Sequence, residues 1–578
     1  MSTVVADGSA DRLVEPPASR HVRLGNWLVL GPTIAVFAVL AWNRRWMSDD
    51  GLIVLRTVRQ ILAGNGPVFN AGERVESNTS TLWTYLLVAF GWIPGLRLEW
   101  LAVVLGLLCS TGGLLLAMDG TRRLIGSPLV APAGVLVLIA LPPFRDFATS
   151  GLETGLITLW LGTTWWLLVR HARRTPTGPV WVTALVIGLG VLVRPDLALF
   201  SAVAGAGLLV LEWRGWRRGL SWAAAAAAIP VAYQVFRMGY YGLLTPNTAL
   251  VKEASDALWG RGWAYLTDFA GPYHLWIPLA LCLLLAGLGL RRTRIERRVA
   301  VVVAVPLLGG LALALYVVRV GGDFMHARML LPALVSLLLP VLVVRPGRAT
   351  VVPLVALGIW TVVAAGWLRT SYTTLPAAED ETLGIADERA AYVAASRHEH
   401  PILAEDFEEF TALTDPINAM LATGQAPAVL VQNKQGEWHR YPTTNGRTVA
   451  TFFNIGGPGM LLPLDMWVHD PIGLANPVAA HTTPYPGRRI GHNKYAGTPW
   501  EVAELTRETP AELTVNGDFT VPSIEAIRGI FACPANRDGL DSVRAPLTFD
   551  RFRQNLVHAA ARTSLRYDYD PRHAQRCG

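Results

Sequence analysis

Apolar runs of roughly 15 to 20 residues recur through about the first 370 positions, and arginine-bearing loops separate them. A run of that length suits a helix crossing the ~30 Å hydrocarbon core of a bilayer. In hydrocarbon the backbone finds no water to bond, so each run must close its own hydrogen bonds as a helix. With 52% hydrophobic and only 16% charged residues among 578, the chain reads as a polytopic, mostly α membrane protein.

Eleven spans are predicted, at about 27–43, 100–118, 129–141, 155–169, 180–193, 197–211, 222–236, 273–290, 299–318, 330–344 and 350–367. Arginine clusters at 122–123, 170–174, 214–218, 291–298 and 345–348 mark the inner loops, because short cytoplasmic loops carry the excess of basic residues. The segment 82–93, broken at Pro94 and Gly95, reads as an interfacial helix; a full crossing there would turn every later arginine cluster outward. The expected parts are a cytoplasmic tail (1–26), a membrane domain (27–368) whose first outer loop spans 44–99, and an extracytoplasmic C-terminal domain (369–578) of mixed α/β type. No cleavage site follows the first apolar run, so that span is expected to be retained.

The net charge of +7 does not point to nucleic acid, since topology explains where the arginines lie. Cys109 and Cys282 fall in spans and read as inert packing. Cys533 and Cys577 both fall in the C-terminal domain, where an oxidising compartment would allow a disulfide.

Chemistry concentrates in the first outer loop. Asp49 and Asp50 follow Ser48, a good N-cap, and precede an amphipathic run with Leu52, Leu55, Val58 and Leu62 on one face and Arg56 and Arg59 beside it. Gly64 suits the C-terminal end. Both carboxylates therefore sit at the positive end of a short helix just past a membrane exit. A carboxylate there can take a proton from a hydroxyl or stabilise an oxocarbenium-like centre; acids complementing the helix dipole are the bland alternative.

Other ionisable residues gather at the outer ends of the spans: Glu153, Arg194, Asp196, Lys252, Arg319, Asp323, His326 and Arg328, with Asn247 in the same loop as Lys252. Such groups are costly near membrane depth and usually face a cavity. Lys252, Arg319 and Arg328 suit a phosphate; Glu153, Arg194, Asp196, Asn247, Asp323 and His326 are candidates for substrate contact. An Arg194–Asp196 ion pair and a packed His326 are the structural alternatives. Gly321 and Gly322 would permit a tight turn before Asp323. His481 and His492 lack metal-ligand spacing with any cysteine pair, and neither a P-loop nor a dinucleotide fingerprint occurs. No cofactor or metal is expected, and a donor carried on a lipid fits better than a nucleotide sugar.

SDDGLIVLRTVRQILAGNGPVFNAGERVESNTSTLW (48–83), SGLET, LVRPD, TPNTALVKEA, GGDFMHARMLLP, GLANPVAAHTTP and RRIGHNK together resemble the GT-C superfamily of polyprenyl-phosphate-dependent glycosyltransferases. Within it they are similar to the mycobacterial enzymes that add terminal β-(1→2)-linked arabinofuranose. The resemblance implies decaprenyl-phosphoryl-β-D-arabinofuranose as donor. It implies the arabinan ends of arabinogalactan and lipoarabinomannan as acceptors, and an inner-membrane enzyme whose site faces the periplasm. An aspartate of the first outer loop is the catalytic base in that superfamily, which carries over to Asp49 or Asp50 without choosing between them. A β-linked donor giving a β-linked product retains configuration, so a lone base with direct attack is insufficient. The rival readings are a related enzyme moving another sugar, such as mannose, and a flippase for the lipid sugar; a large outer domain and charges gathered at span ends speak against the flippase.

Overall fold

Helix α1 (Arg20–Trp42) leads through a short turn into α2 (Asp49–Leu62), then α3 (Thr81–Gly91) and the 28-residue α4 (Leu98–Ile125). The structure is a computed structural model and describes residues 20–127, 129–175, 178–252, 257–290, 296–368, 384–407, 411–422, 424–485, 491–509 and 523–573. Among the described residues, five helices are long and apolar enough to cross a membrane: Leu98–Ile125, Pro195–Glu212, Trp216–Tyr241, Arg297–Arg319 and Arg348–Leu368. Shorter apolar helices occupy Trp27–Trp42, Thr81–Gly91, Val180–Val193, Trp276–Leu290 and Arg328–Val341. The protein is a mostly helical membrane protein with several apolar helices and a small C-terminal sheet.

The expected span at 129–141 takes a different form. Its helical part is α5 (Gly134–Ala140), seven residues or about 10 Å long. It ends where Pro142 and Pro143 start a separate helix, α6 (Pro142–Phe147), because proline offers no backbone N–H to continue the ladder. The residues before it pair in a two-stranded ribbon, β1 (Ala131–Pro132) with β2 (Val343–Val344). Segment 82–93 falls in the 11-residue α3, about 16 Å long and too short for an upright crossing.

The tightest helix pair is α4 against α7 (Thr154–Ala172). A Cβ added at Gly155 would lie 2.2 Å from the Gly106 carbonyl, and one at Gly162 would lie 2.1 Å from the Gly113 carbonyl. Two glycines seven residues apart on each helix thus let the backbones touch, as small residues do at membrane helix interfaces.

The C-terminal part carries a four-stranded sheet ordered β4 (Trp438–Pro442), β3 (Ala428–Gln432), β5 (Val449–Thr451), β6 (Trp467–His469). The β3–β4 pair is antiparallel, while β3–β5 and β5–β6 are parallel. One face buries Val429, Val431, Val449 and Trp467 against Trp500, Ile524, Ile527 and Ile530. The other core is shared: Ile53 and Phe69 of the first loop pack with Ile417, Leu430, Ala450, Phe452 and Val468. The expected domain junction at 369 lies outside the described residues, but this shared core means that α2 belongs to both halves. Cys533 is disulfide-bonded; its expected partner, Cys577, lies outside the described residues.

Candidate active site

Helix α2 starts as its sequence implies. The Ser48 hydroxyl accepts from the Gly51 N–H at 3.0 Å and caps the first turn, leaving Asp49 and Asp50 at the positive end. The two carboxylates then diverge, since neighbours on a helix point about 100° apart. Asp49 turns to the C-terminal part. Its Oδ2 accepts from the Gly456 N–H and its Oδ1 from the Gly457 N–H, both at 3.1 Å. Gly456 must be glycine for this approach: a Cβ there would lie 2.2 Å from the Asp49 carbonyl oxygen. Burial pushes the Asp49 carboxyl up to about 6; the Gly456 and Gly457 N–H groups oppose that and the Asp50 charge adds to it.

Asp50 turns the other way. Its Oδ2 accepts from Arg328 Nη1 at 3.2 Å, and Arg328 Nε donates to Asp323 Oδ2 at 2.7 Å. Arg328 thus bridges two carboxylates from segments 278 residues and five residues away. Burial works against its charge, but Asp323 and Asp50 outweigh it and raise the guanidinium above its ordinary value. Burial would likewise raise Asp323, yet Arg328 and then Lys252 hold that carboxyl below its usual range. Gly321 and Gly322 take the left-handed conformation (φ 87° and 77°) that turns the chain into this loop.

The charge of Glu153 also reaches Arg328, and Glu153 lies 3.8 Å from Arg194. Arg194 grips Asp196 with two bonds of 2.6 and 2.7 Å, so this pair is an ion pair joining two helices, the simpler of the two readings. Lys252 ends the helix Asn247–Lys252 half-buried, and among the described residues no carboxylate lies within ion-pair distance of its ammonium. Asp323 is the acid that feels it.

Three candidates make their described bonds away from that chain of charges. Asn247 Nδ2 donates to the Gly473 and Asn476 carbonyls at 2.6 and 3.0 Å, tying its loop to the C-terminal part. His326 is buried between Asp268 (Nδ1 to Oδ2, 2.6 Å) and Tyr273 (Nε2 to OH, 3.1 Å), the packed arrangement. Arg319 ends the helix Arg297–Arg319, where its carbonyl accepts from the Leu258 N–H; among the described residues no hydrogen bond joins it to the Asp50–Arg328–Asp323 chain.

Sequence reasoning missed two residues of the helix Glu388–Ser396. Glu388 and Tyr392, one turn apart, both feel the charges of Asp49 and Asp50. Burial and then the Asp50 charge raise the Glu388 carboxyl well above its ordinary value. The Tyr392 hydroxyl accepts from Asn454 Nδ2 at 3.0 Å. The sequence signals a helix there, with Asp387 capping it, but nothing in the pattern points that helix at α2.

Arg56 is a second departure from the sequence pattern. The pattern sets it on the polar flank of α2, yet it is fully buried. Its Nε donates to the Phe69 carbonyl at 3.2 Å, and Nη1 and Nη2 donate to the carbonyls of Gly459 (2.9 Å), Leu462 (3.0 Å), Pro463 (3.1 and 3.2 Å) and Met466 (3.0 Å). A planar guanidinium with five donors can satisfy such a ring of carbonyls, and lysine cannot.

Apolar helices that converge on a cluster of acids and cations, closed over by a mixed α/β region, define a membrane protein with a polar site at one end of its bundle. Residues 405–576 match the AftB family C-terminal domain. The chain is 40% identical to the terminal β-(1→2)-arabinofuranosyltransferase of Mycobacterium tuberculosis over 620 aligned positions, covering 96% of this chain and 98% of that protein. It is 38% identical to the terminal β-(1→2)-arabinofuranosyltransferase of Corynebacterium glutamicum, covering 91% of this chain and 84% of that protein. No solved structure matches it. The chain belongs to the terminal β-(1→2)-arabinofuranosyltransferase family and is a glycosyltransferase.

Proposed function

We propose that the protein is a GT-C enzyme of about eleven spans in the plasma membrane, with its N-terminus in the cytoplasm and its site and C-terminal domain in the periplasm. It transfers arabinofuranose from decaprenyl-phosphoryl-β-D-arabinofuranose to the 2-hydroxyl of a terminal arabinofuranose in the arabinan of arabinogalactan or lipoarabinomannan. The bond from the anomeric carbon to the phosphate oxygen breaks, decaprenyl phosphate leaves, and the acceptor oxygen takes its place. Lys252 and Arg328 hold the departing phosphate, with charge-assisted bonds that strengthen as its negative charge grows.

The observation that carries the assignment of roles is the divergence of the acid pair. Asp49 has both oxygens committed to backbone N–H groups of the C-terminal part, so it fixes the roof. Asp50 keeps one oxygen outside its 3.2 Å contact with Arg328 and acts at the reacting centre. A carboxylate nucleophile must approach the face opposite the leaving group. Asp50 instead shares Arg328 with the phosphate, which favours front-face attack with Asp50 receiving the acceptor proton. Mass spectrometry of the protein incubated with donor alone is the test: no glycosyl adduct on Asp50 is expected, and an adduct there would establish double displacement instead.

A further inference from the structure

Between the two loops that receive the acid pair lies a small aromatic cluster. Phe453, three residues before Gly456, has its ring 5.6 Å from the His492 imidazole with the planes 24° apart. The same imidazole meets Phe324, the residue after Asp323, edge-on at 4.8 Å. Gly491, next to His492, packs where a Cβ would lie 3.8 Å from Lys252 Cε. The cluster therefore touches the Asp49 loop on one side and the Asp323–Arg328 loop on the other, with Lys252 beside it. Phe453 is nonetheless 50% exposed. An aromatic ring half open to water, beside a charged site and outside any apolar core, loses hydration free energy that a ligand's apolar face can recover.

We propose that Phe453, stacked on His492, is the platform on which the terminal furanose ring of the acceptor lies. This rests on the transfer to a sugar hydroxyl proposed above. A furanose presents one face of C–H groups and an edge of hydroxyls, and the C–H face suits an aromatic ring while the hydroxyls turn to polar neighbours. Asn454, which follows Phe453 and bonds Tyr392, supplies such a neighbour. The occupant is the acceptor rather than the donor because the donor's lipid chain must stay with the apolar helices and its phosphate needs Lys252 and Arg328. Phe453 belongs to the polar C-terminal part, on the side from which a glycan arrives.

The test is steady-state transfer by the purified full-length protein, with decaprenyl-phosphoryl arabinofuranose and a synthetic arabinofuranosyl oligosaccharide. Phe453→Ala should raise the KM for the oligosaccharide about three- to tenfold, the range expected when an aromatic stack is removed. The KM for the donor should stay unchanged, and Phe453→Trp should restore the acceptor KM. An unchanged acceptor KM in Phe453→Ala, or a rise confined to the donor KM, would overturn the platform while leaving the transferase reading intact. A wild-type protein that transfers no arabinofuranose from this donor would overturn the underlying reading instead.

Discussion

Asp50→Asn and Asp49→Asn remove equal charge from adjacent positions and should fail in opposite ways. At Asp50 an amide oxygen can still face Arg328, which keeps its bonds to Asp323. The Asp50–Arg328 contact is 3.2 Å long, with the Arg328 side chain 8% and the Asp50 side chain 26% exposed, and the 2.7 Å pair with Asp323 still neutralises the guanidinium when the Asp50 charge is lost. Stability should therefore hold while kcat falls by about 100-fold or more, the usual worth of a positioned proton acceptor. At Asp49 one amide oxygen must serve where two carboxylate oxygens serve Gly456 and Gly457, so one buried N–H is left without an acceptor at a cost of about 1–3 kcal/mol. Part of that returns, because burial already disfavours this charge and pushes the carboxyl up to about 6. The net expectation is a destabilisation of about 1 kcal/mol with kcat within about tenfold of the parent. Initial rates of transfer and thermal melts on the same purified samples measure both. Asp50→Asn retaining more than about a tenth of the parent rate, or Asp49→Asn reducing kcat as much as Asp50→Asn with an unchanged melt, refutes the division of roles.

Lys252→Gln should raise the donor KM about tenfold and leave the acceptor KM alone, as removal of one charge-assisted bond to phosphate predicts. Arg56→Met strands the carbonyls of Leu462 and Met466, while that of Gly459 keeps its bond from Arg59 and that of Pro463 keeps the Met466 N–H; a destabilisation of about 2 kcal/mol or more is expected, read as a lower melting temperature and faster proteolysis of the C-terminal part. Glu501 is buried, accepts from the Thr451 hydroxyl at 2.7 Å, and is raised by burial to about 8 from an ordinary 4.5. The folded state thus holds a proton that the unfolded chain has released. That contribution is complete below about pH 4.5 and is lost as pH rises towards about 8. Glu501→Gln should flatten the fall in melting temperature over this window.

What was legible in the sequence divides along physical lines. Helix α2 was readable because its signals are local: the Ser48 cap, the acidic first turn, the 3.6-residue apolar period and Gly64 just beyond the last turn. The long spans were readable because bilayer thickness sets their length. The 129–141 segment is helical over a shorter stretch than its composition suggests, Gly134–Ala140, because apolar composition does not show where the proline pair at its edge ends the helix. Residues brought together by tertiary packing had no local signature. Arg328 and Asp50 each read as a charge near a span end, but their pairing crosses 278 residues. Arg56 reads as a charge on the polar flank of its helix, since a helix pattern states which face is polar and not what covers it. The same limit hid the partners of His326 and Asn247, which lie on other segments.

The carbonyl ring around Arg56 has a consequence for how the chain is made. The arginine leaves the ribosome more than 400 residues before every backbone group that receives it except the Phe69 carbonyl, about 20 to 80 seconds at ordinary rates of synthesis. During that interval α2 has neither its roof nor the Gly456–Gly457 anchor for Asp49, so the acid pair is held on one side only. The enzyme therefore cannot assemble its reaction centre as its helices enter the membrane one by one. On the proposed assignment it becomes active only after its last third has folded back over the first loop, so a nascent or truncated chain would transfer no sugar.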